Sequence, residues 1–427
     1  MLLIIVTIIF KYMSLEVVTF GCRLNIYESE LIKKHAKDAG INNAIIFNSC
    51  AVTKEAERKL RQAIRKAKKE TPERKIMVTG CAAQVAKDRY SKMREVDIVF
   101  GNHEKLQQNT YRELVATSQS ILVDDIMSIK ETVGHMVDGF ENKSKAFLQV
   151  QNGCNHRCSF CIIPYARGNS RSIPIGEIIH HAESLTAKGY KEFILTGVDI
   201  TDYGKDLPGK PSLGNMIKRL LKMIPAIKRL RLSSIDVAEV DQELFDVITQ
   251  EKRFMPHLHL SLQVGDDSVL RRMGRRHRRQ QVIDFCHKVW NVRPEVVFGA
   301  DVIAGFPTET EDMFQNTYNL VKELNIIHLH VFPYSSREKT PASRMPQVDG
   351  NIIKARARKL RELKNELLKA HLTKKIGKKE YILAESNNQG YTEDYCHVLS
   401  NEVLERGKIY RLKICDISKQ NQLLASP

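Results

Sequence analysis

Cys154, Cys158 and Cys161 stand within eight residues in the run VQNGCNHRCSFC, directly after a strand-like stretch. Three thiols that close together converge easily on one metal centre, and thiolates are the soft ligands that iron–sulfur clusters take. Three of them hold only three irons of a cubane, which leaves the fourth iron open to a substrate or cofactor. The alternative is a structural zinc site. Zinc takes four ligands and often pairs two CxxC units, yet no fourth Cys and no clear His ligand sits at short range; His156 lies inside the loop. The spacing therefore points to an open cluster.

Cys22, Cys50 and Cys81 are far apart in sequence, but each follows a strand-like run by a few residues: VVTFGC, IIFNSC and IMVTGC. In a parallel sheet such positions gather along one edge, where ligand sites form. A lone buried Cys is usually a small hydrophobe; three in one strand-end register argue for a second cluster. Cys286, Cys396 and Cys415 lack that register, and Cys286 sits in a helical run and reads as core. Nine cysteines in a long chain with a real core do not form a disulfide framework. They place the protein in a reducing cytoplasm.

Alternating elements must position these thiols. Leu15–Phe20, Ala44–Phe47, Ile76–Thr79 and Asp97–Phe100 read as strands, with helices such as Tyr27–Asp38 and Lys54–Lys69 between them. That pattern predicts a parallel sheet with crossover helices. A polar stretch, Asp124–Lys145, reads as a linker. Six further strands follow at Ala146–Gln151, Glu192–Thr196, Arg229–Ser233, His257–Gln263, Val297–Ile303 and Ile327–Phe332. With intervening helices such as Gly176–Lys188, Arg278–Val289 and Thr310–Glu323, they predict an incomplete (β/α)6 barrel. A basic helix begins at Lys354. After Gly377 short alternating runs, Glu380–Glu385, Tyr395–Leu399 and Ile409–Ile414, predict a small antiparallel β domain of OB-like size. The fold class is thus α/β, with domains expected at 13–125, 140–370 and 371–427.

The cysteine spacing together with IIPYARGNSRS (Ile162–Ser172) closely resembles the radical S-adenosylmethionine (SAM) superfamily. The resemblance implies that SAM chelates the open iron and is cleaved by one electron to a 5′-deoxyadenosyl radical. Arg167 and Arg171 are candidate cationic neighbours of a phosphate or of the SAM carboxylate, or else surface charge. Four strand ends offer candidate SAM contacts: Gly197 and Asp199 in LTGVDITDYG, Ser233, Gln263 in HLHLSLQVGDD, and Asp301 in DVIAGFPTET. Asp301 suits a ribose or adenine, or else caps the next helix or loop. Val264 departs from the small polar residue usual in that family.

GCRLNIYESE, NSCAVTKEAERKLRQ and TGCAAQ resemble the amino-terminal domain of the methylthiotransferases. In that family the three matching Cys hold an auxiliary [4Fe–4S] cluster. The resemblance spans nearly the whole chain and implies two [4Fe–4S] clusters, SAM and a carboxy-terminal TRAM domain that binds RNA. The resemblance also implies two SAM molecules per turnover, one methylating a sulfur at the auxiliary cluster and one supplying the radical that removes the adenosine C2 hydrogen. The NSCAVTKEAERK form is most similar to members that act on N6-threonylcarbamoyladenosine at position 37 of tRNA. The same reaction on isopentenyladenosine or on a ribosomal protein is the runner-up; a non-catalytic iron–sulfur RNA-binding protein is the rival of another class.

Charge points the same way. The net charge is +17, with six arginines in Arg271–Arg279 and eleven Lys or Arg against two acids in Lys354–Lys379. Both runs predict contact with tRNA phosphates. The apolar stretch Met1–Phe10 is shorter than the ~20 residues a bilayer needs, so no membrane partner is expected and Met13 is the expected start. A reductant protein of the flavodoxin or ferredoxin kind and a monomeric state complete the expectation.

Overall fold

The computed structural model describes residues 15–116, 119–130, 136–141 and 143–426. Met1–Phe10, the start expected at Met13 and part of the expected linker lie outside them. The chain divides into two compact units. One holds the residues up to 138 with 152–157 and 161–171; the other holds 139–151, 158–160 and 172 onward.

In the first unit β1 (Glu16–Thr19), β2 (Ala44–Ser49), β3 (Lys75–Gly80), β4 (Ile98–Phe100) and β5 (Ile121–Leu122) form one parallel sheet in sequence order. All six residues of β2 are buried, as expected for a central strand covered on both faces. Its alternate residues feed two cores. Ile45 and Phe47 pack with Leu60, Ile64 and Val78, while Ala44 and Ile46 pack with Ile32, Ala36, Met77 and Phe100. The helices α1 (Arg23–Asp38) and α2 (Lys54–Glu70) supply Ile32, Ala36, Leu60 and Ile64, and the neighbouring strands supply the rest. Thr53 caps α2 by accepting from the Ala56 amide at 3.1 Å, and Glu55 and Lys68 sit at the ends that suit their charge. The short β5 escaped the sequence pattern because two residues carry no period.

In the second unit β6 (Lys145–Gln149), β7 (Glu192–Thr196) and β8 (Arg229–Leu232) form one parallel sheet, and β9 (His257–Gln263), β10 (Val297–Ala304) and β11 (His328–Pro333) form another. Isolated parallel bridges Leu230–Phe254 and Ile235–Leu260 join them. With helices between the strands, this is the incomplete (β/α)6 barrel that the sequence predicts. The final strands, β12 (Lys379–Ser386), β13 (Gln389–Tyr391), β14 (His397–Ser400), β15 (Ile409–Ile417) and β16 (Leu423–Ser426), close a small barrel. It is not wholly antiparallel as expected. The chain end returns as β16 between β14 and β15, and closure makes its pairing with β14 parallel.

This small barrel floors the large one. Arg231, fully buried at β8, donates to Glu192 at 2.8 Å, to the Glu393 carbonyl at 2.7 Å and to the Thr392 carbonyl at 3.1 Å. Tyr395 stacks on His257 with centroids 5.2 Å apart, and the Lys145 ammonium lies 3.7 Å from the centre of the Tyr391 ring. Lys145, Glu192 and His257 each begin a barrel strand. The small domain therefore seals the amino-terminal end and leaves the carboxyl ends, where such barrels work, for chemistry.

Candidate functional site

The first three thiols meet at the carboxyl ends of β1, β2 and β3. Cys22 follows β1 by three residues, and Cys50 and Cys81 follow β2 and β3 immediately. Gly21, at φ +108°, lets Cys50 approach closely: a Cβ there would stand 2.9 Å from the Cys50 Cβ and 3.2 Å from its Sγ. Asn102 donates to the Cys81 Sγ at 3.6 Å and to the Ala166 carbonyl at 2.7 Å. Burial and the neighbouring Cys81 push the Cys50 thiol up to about 12. Soft donors gathered at one rim, with Cys50 costly to ionise alone, suit an iron centre, because coordination takes the thiol proton. The residues fit a cluster.

A buried ion network lies beneath them. Glu28 on α1 accepts from Arg167 at 2.8 and 3.0 Å and from Lys105 at 2.7 Å, and all three side chains are almost completely buried. Arg167 also donates to Asn25 at 2.6 Å, and Lys105 to Asn48 at 3.2 Å. Burial alone would push the Glu28 carboxyl up, but Arg167 and Lys105 hold it down at about 2. Burial opposes the Arg167 charge, yet Cys81, Glu28 and Cys22 around it keep its pKa well above the usual range. Arg167 is thus not surface charge, and its guanidinium is engaged by Glu28, Asn25 and Asn152 rather than left for a phosphate or a SAM carboxylate. Arg171 is buried too and donates to the backbone carbonyls of Ile129, Asn169 and Arg167. Hydrophilic residue type gave no hint of this, because long-range pairing decides it.

The second thiol set occupies one loop after the first barrel strand. Cys154 and Cys161 belong to the first compact unit and Cys158 to the second. Gly153 has φ +73°, and a Cβ there would lie 1.8 Å from the Asn169 carbonyl oxygen, so only glycine fits ahead of Cys154. The Cys154 amide donates to the Gly168 carbonyl at 3.1 Å. Arg157 braces the turn by donating to the Cys154 carbonyl at 2.9 Å and to Asn169 at 2.7 Å. Cys158 lies 3.8 Å from Arg275, which also donates to Asp236 at 2.8 Å and to the Ser261 carbonyl at 2.9 Å. Each thiol set therefore has a fixed guanidinium beside it. Such outer partners stabilise a negatively charged cluster and set its potential.

The candidate SAM contacts cluster at strand ends with varied surroundings. The Gln151 Oε1 accepts from the Val198 and Asp199 amides at 2.9 Å each, which orders the loop after Gly197. The Ser233 hydroxyl is buried and finds no partner among the described residues, a polar atom that a bound ligand would satisfy. Gln263 has φ +67°. A non-glycine residue is strained there, and such strain gathers at functional sites. Asp301 differs: it lies three residues before the end of β10 and accepts from His259 and His330. Val264 is buried among Val269, Leu270, Met273 and Phe306, which accounts for an apolar residue at that position.

The two basic runs separate. Of Arg271–Arg279, Arg275 is engaged as above, Arg279 donates to Asn316 and pairs with Glu323, Arg276 pairs with Glu239, and Arg272 bonds Thr308. His277 is buried against Asp236 and the Leu262 carbonyl. Arg275, His277 and Arg279 thus brace the barrel, while Arg271, Arg272 and Arg276 are exposed. In the helix Gly350–Thr373 and the turn after it, Arg356 is likewise buried on Glu309. Lys354, Arg361, Lys369, Lys374 and Lys378 remain exposed.

Known proteins share this arrangement of sequence and fold. Residues 148–321 match the Radical SAM superfamily, and residues 14–101 match a family described as Uncharacterized protein family UPF0004. The chain is 55% identical to the threonylcarbamoyladenosine tRNA methylthiotransferase MtaB of Rickettsia prowazekii, over 95% of each chain. It is 34% identical to MtaB of Bacillus subtilis, over 93% of this chain and 92% of that one. It is 31% identical to the tRNA-2-methylthio-N(6)-dimethylallyladenosine synthase of Neorickettsia sennetsu, over 94% and 90%. Among solved structures, the radical SAM methyltransferase TsrM from Kitasatospora setae superposes with a TM-score of 0.56 at 14% identity, covering 77% of this chain and 74% of that one. That likeness concerns the fold.

Proposed function

The chain belongs to the radical SAM methylthiotransferase family, and on that premise we propose that it adds a methylthio group to C2 of N6-threonylcarbamoyladenosine at position 37 of tRNA. The thiol set at the sheet edge, Cys22, Cys50 and Cys81, carries the reading. SAM cleavage alone needs only Cys154, Cys158 and Cys161, whereas Cys22, Cys50 and Cys81 at a sheet edge give the protein a place to hold a sulfur. The choice of base rests on the relatives named threonylcarbamoyladenosine methylthiotransferases. The relatives named for dimethylallyladenosine, at 31–32% identity, support the alternative base only distantly.

When bound, the loop cluster supplies the electron that cleaves SAM, and an auxiliary [4Fe–4S] cluster presents the sulfur. The chain's own residues do the rest. Gly197, Asp199, Ser233 and Gln263 are assigned to the SAM pocket; Asp301 is set apart because two imidazoles already occupy its carboxylate. Arg167 and Arg275 hold fixed positive charge beside the two thiol sets. A C2 hydrogen on an adenine is not acidic, so removing it as an atom is the physical reason for a radical. The protein takes its electrons from a flavodoxin- or ferredoxin-like donor and works as a monomer in the cytoplasm. Among the described residues no helix is long and apolar enough to cross a membrane. Mass spectrometry of tRNA nucleosides from a deletion strain tests the assignment. The 2-methylthio derivative of threonylcarbamoyladenosine should vanish while its unmodified precursor accumulates; unchanged levels refute it.

The small carboxy-terminal barrel and the helix leading to it are assigned to tRNA binding as a TRAM-type domain. Lys369→Ala, Lys374→Ala and Lys378→Ala combined should weaken tRNA binding. The slope of log affinity against log salt should become shallower by about 2–3, close to one per lost phosphate contact. Fluorescence anisotropy at graded salt measures it, and a flat response in the unaltered protein removes the electrostatic reading.

A further inference from the structure

Three adjacent parallel strands of the large barrel bring two imidazoles and a carboxylate together, none of them a member of either cysteine set. His330 on β11 is the register partner of Asp301 on β10, and His259 on β9 is the register partner of Gly299, two residues before Asp301. The His259 Nε2 and the His330 Nδ1 lie 3.0 and 3.1 Å from the same Asp301 Oδ1. All three potential ligand atoms fall within 4.8 Å of one another. Gly299 makes room for this. A Cβ there would stand 2.6 Å from the His259 Nδ1, so any larger residue would displace the ring.

We propose that His259, Asp301 and His330 form a mononuclear site for a first-row divalent metal of the zinc or iron(II) class. The donor set is the two-His, one-carboxylate combination that binds such metals on one face and leaves other positions open. The spacing fits. Two ligands each about 2.1 Å from an ion stand about 3.0 Å apart at the right angle of a six-coordinate site and about 3.4 Å apart at the tetrahedral angle; the Asp301 oxygen keeps 3.0 and 3.1 Å from the two imidazoles, and the third pair falls within 4.8 Å. The His330 side chain is 57% exposed, which gives an ion a way in and keeps open positions on that side. Behind the site, the His328 ring is bonded to the Asp394 carbonyl at 3.0 Å. The site is independent of which tRNA base the enzyme accepts.

The test uses the full chain, purified anaerobically with its clusters reconstituted, then incubated with zinc(II) alone and desalted. Elemental analysis should find about one zinc per chain, and X-ray absorption should find nitrogen and oxygen neighbours near ~2.0–2.1 Å rather than sulfur near ~2.3 Å. His330→Ala, at an exposed position, should lower zinc affinity by at least about tenfold with iron content unchanged. Asp301→Asn should do the same if it folds, and His330→Ala decides alone if it does not. No zinc retained by the unaltered protein, equal retention in His330→Ala, or sulfur among the zinc ligands each overturns the proposal.

Discussion

Cys50→Ala should abolish methylthio transfer while 5′-deoxyadenosine still forms from SAM; Cys158→Ala should abolish both. The two thiol sets lie on separate elements, one at the ends of β2 and its neighbours and one on the loop after β6, so removing a thiol from one leaves the other set's ligands in place. Three thiolates are the minimum that holds a cubane with one open iron, so loss of any one empties that site. Each variant should therefore retain about half the iron of the unaltered protein. Anaerobic assays of 5′-deoxyadenosine and of methylthiolated nucleoside, run on the same samples with iron analysis, separate the two. If Cys50→Ala lost SAM cleavage as completely as Cys158→Ala, the division of labour between the sets would be wrong.

Glu28→Gln should cost about 3–5 kcal/mol, because it leaves the buried charges of Lys105 and Arg167 without their counter-ion. The thermal midpoint of the first unit should fall by roughly 10 °C. The Glu28 carboxyl has a folded pKa of about 2 against an ordinary 4.5. That depression contributes about 3 kcal/mol, fully present above pH ~4.5 and lost as pH falls through ~2. Adding Lys105→Met to Glu28→Gln should recover part of the loss, since it removes one of the stranded cations. Calorimetry of the single and double variants measures this. A double variant less stable than Glu28→Gln would mean that Lys105 acts through packing rather than charge. Arg167 sits beside Cys81 and Cys22, so Glu28→Gln should also loosen the auxiliary thiols and lower iron retention there.

The extent to which sequence alone gave these features depends on their range. The six candidate cluster cysteines stand out by local spacing and by strand-end register, both of which are properties of a few consecutive residues. The strands of the sheet and of the large barrel were legible for the same reason, to within a residue or two at most ends. The strands Ile121–Leu122, Gln389–Tyr391 and Leu423–Ser426 were not legible, since runs this short carry little period; Ile98–Phe100, equally short, is apolar at all three positions and was legible.

Charged residues were the least legible. Arg167, Arg171, Arg275 and Arg356 look alike in sequence to Lys369 or Lys378, yet the first four are buried or engaged and the last two are exposed. The partners of the buried ones, such as Glu28 for Arg167 and Glu309 for Arg356, lie 139 and 47 residues away. His259, Asp301 and His330 likewise sit on three different strands, and only strand register brings them together. Sequence by itself thus determined which residues can bind iron and what succession of elements carries them. The tertiary structure decided which charges face water, which thiols have a guanidinium at their side, and where a third metal site can form. The physical reason is that ligand type and period are local, whereas burial and pairing depend on contacts between distant segments.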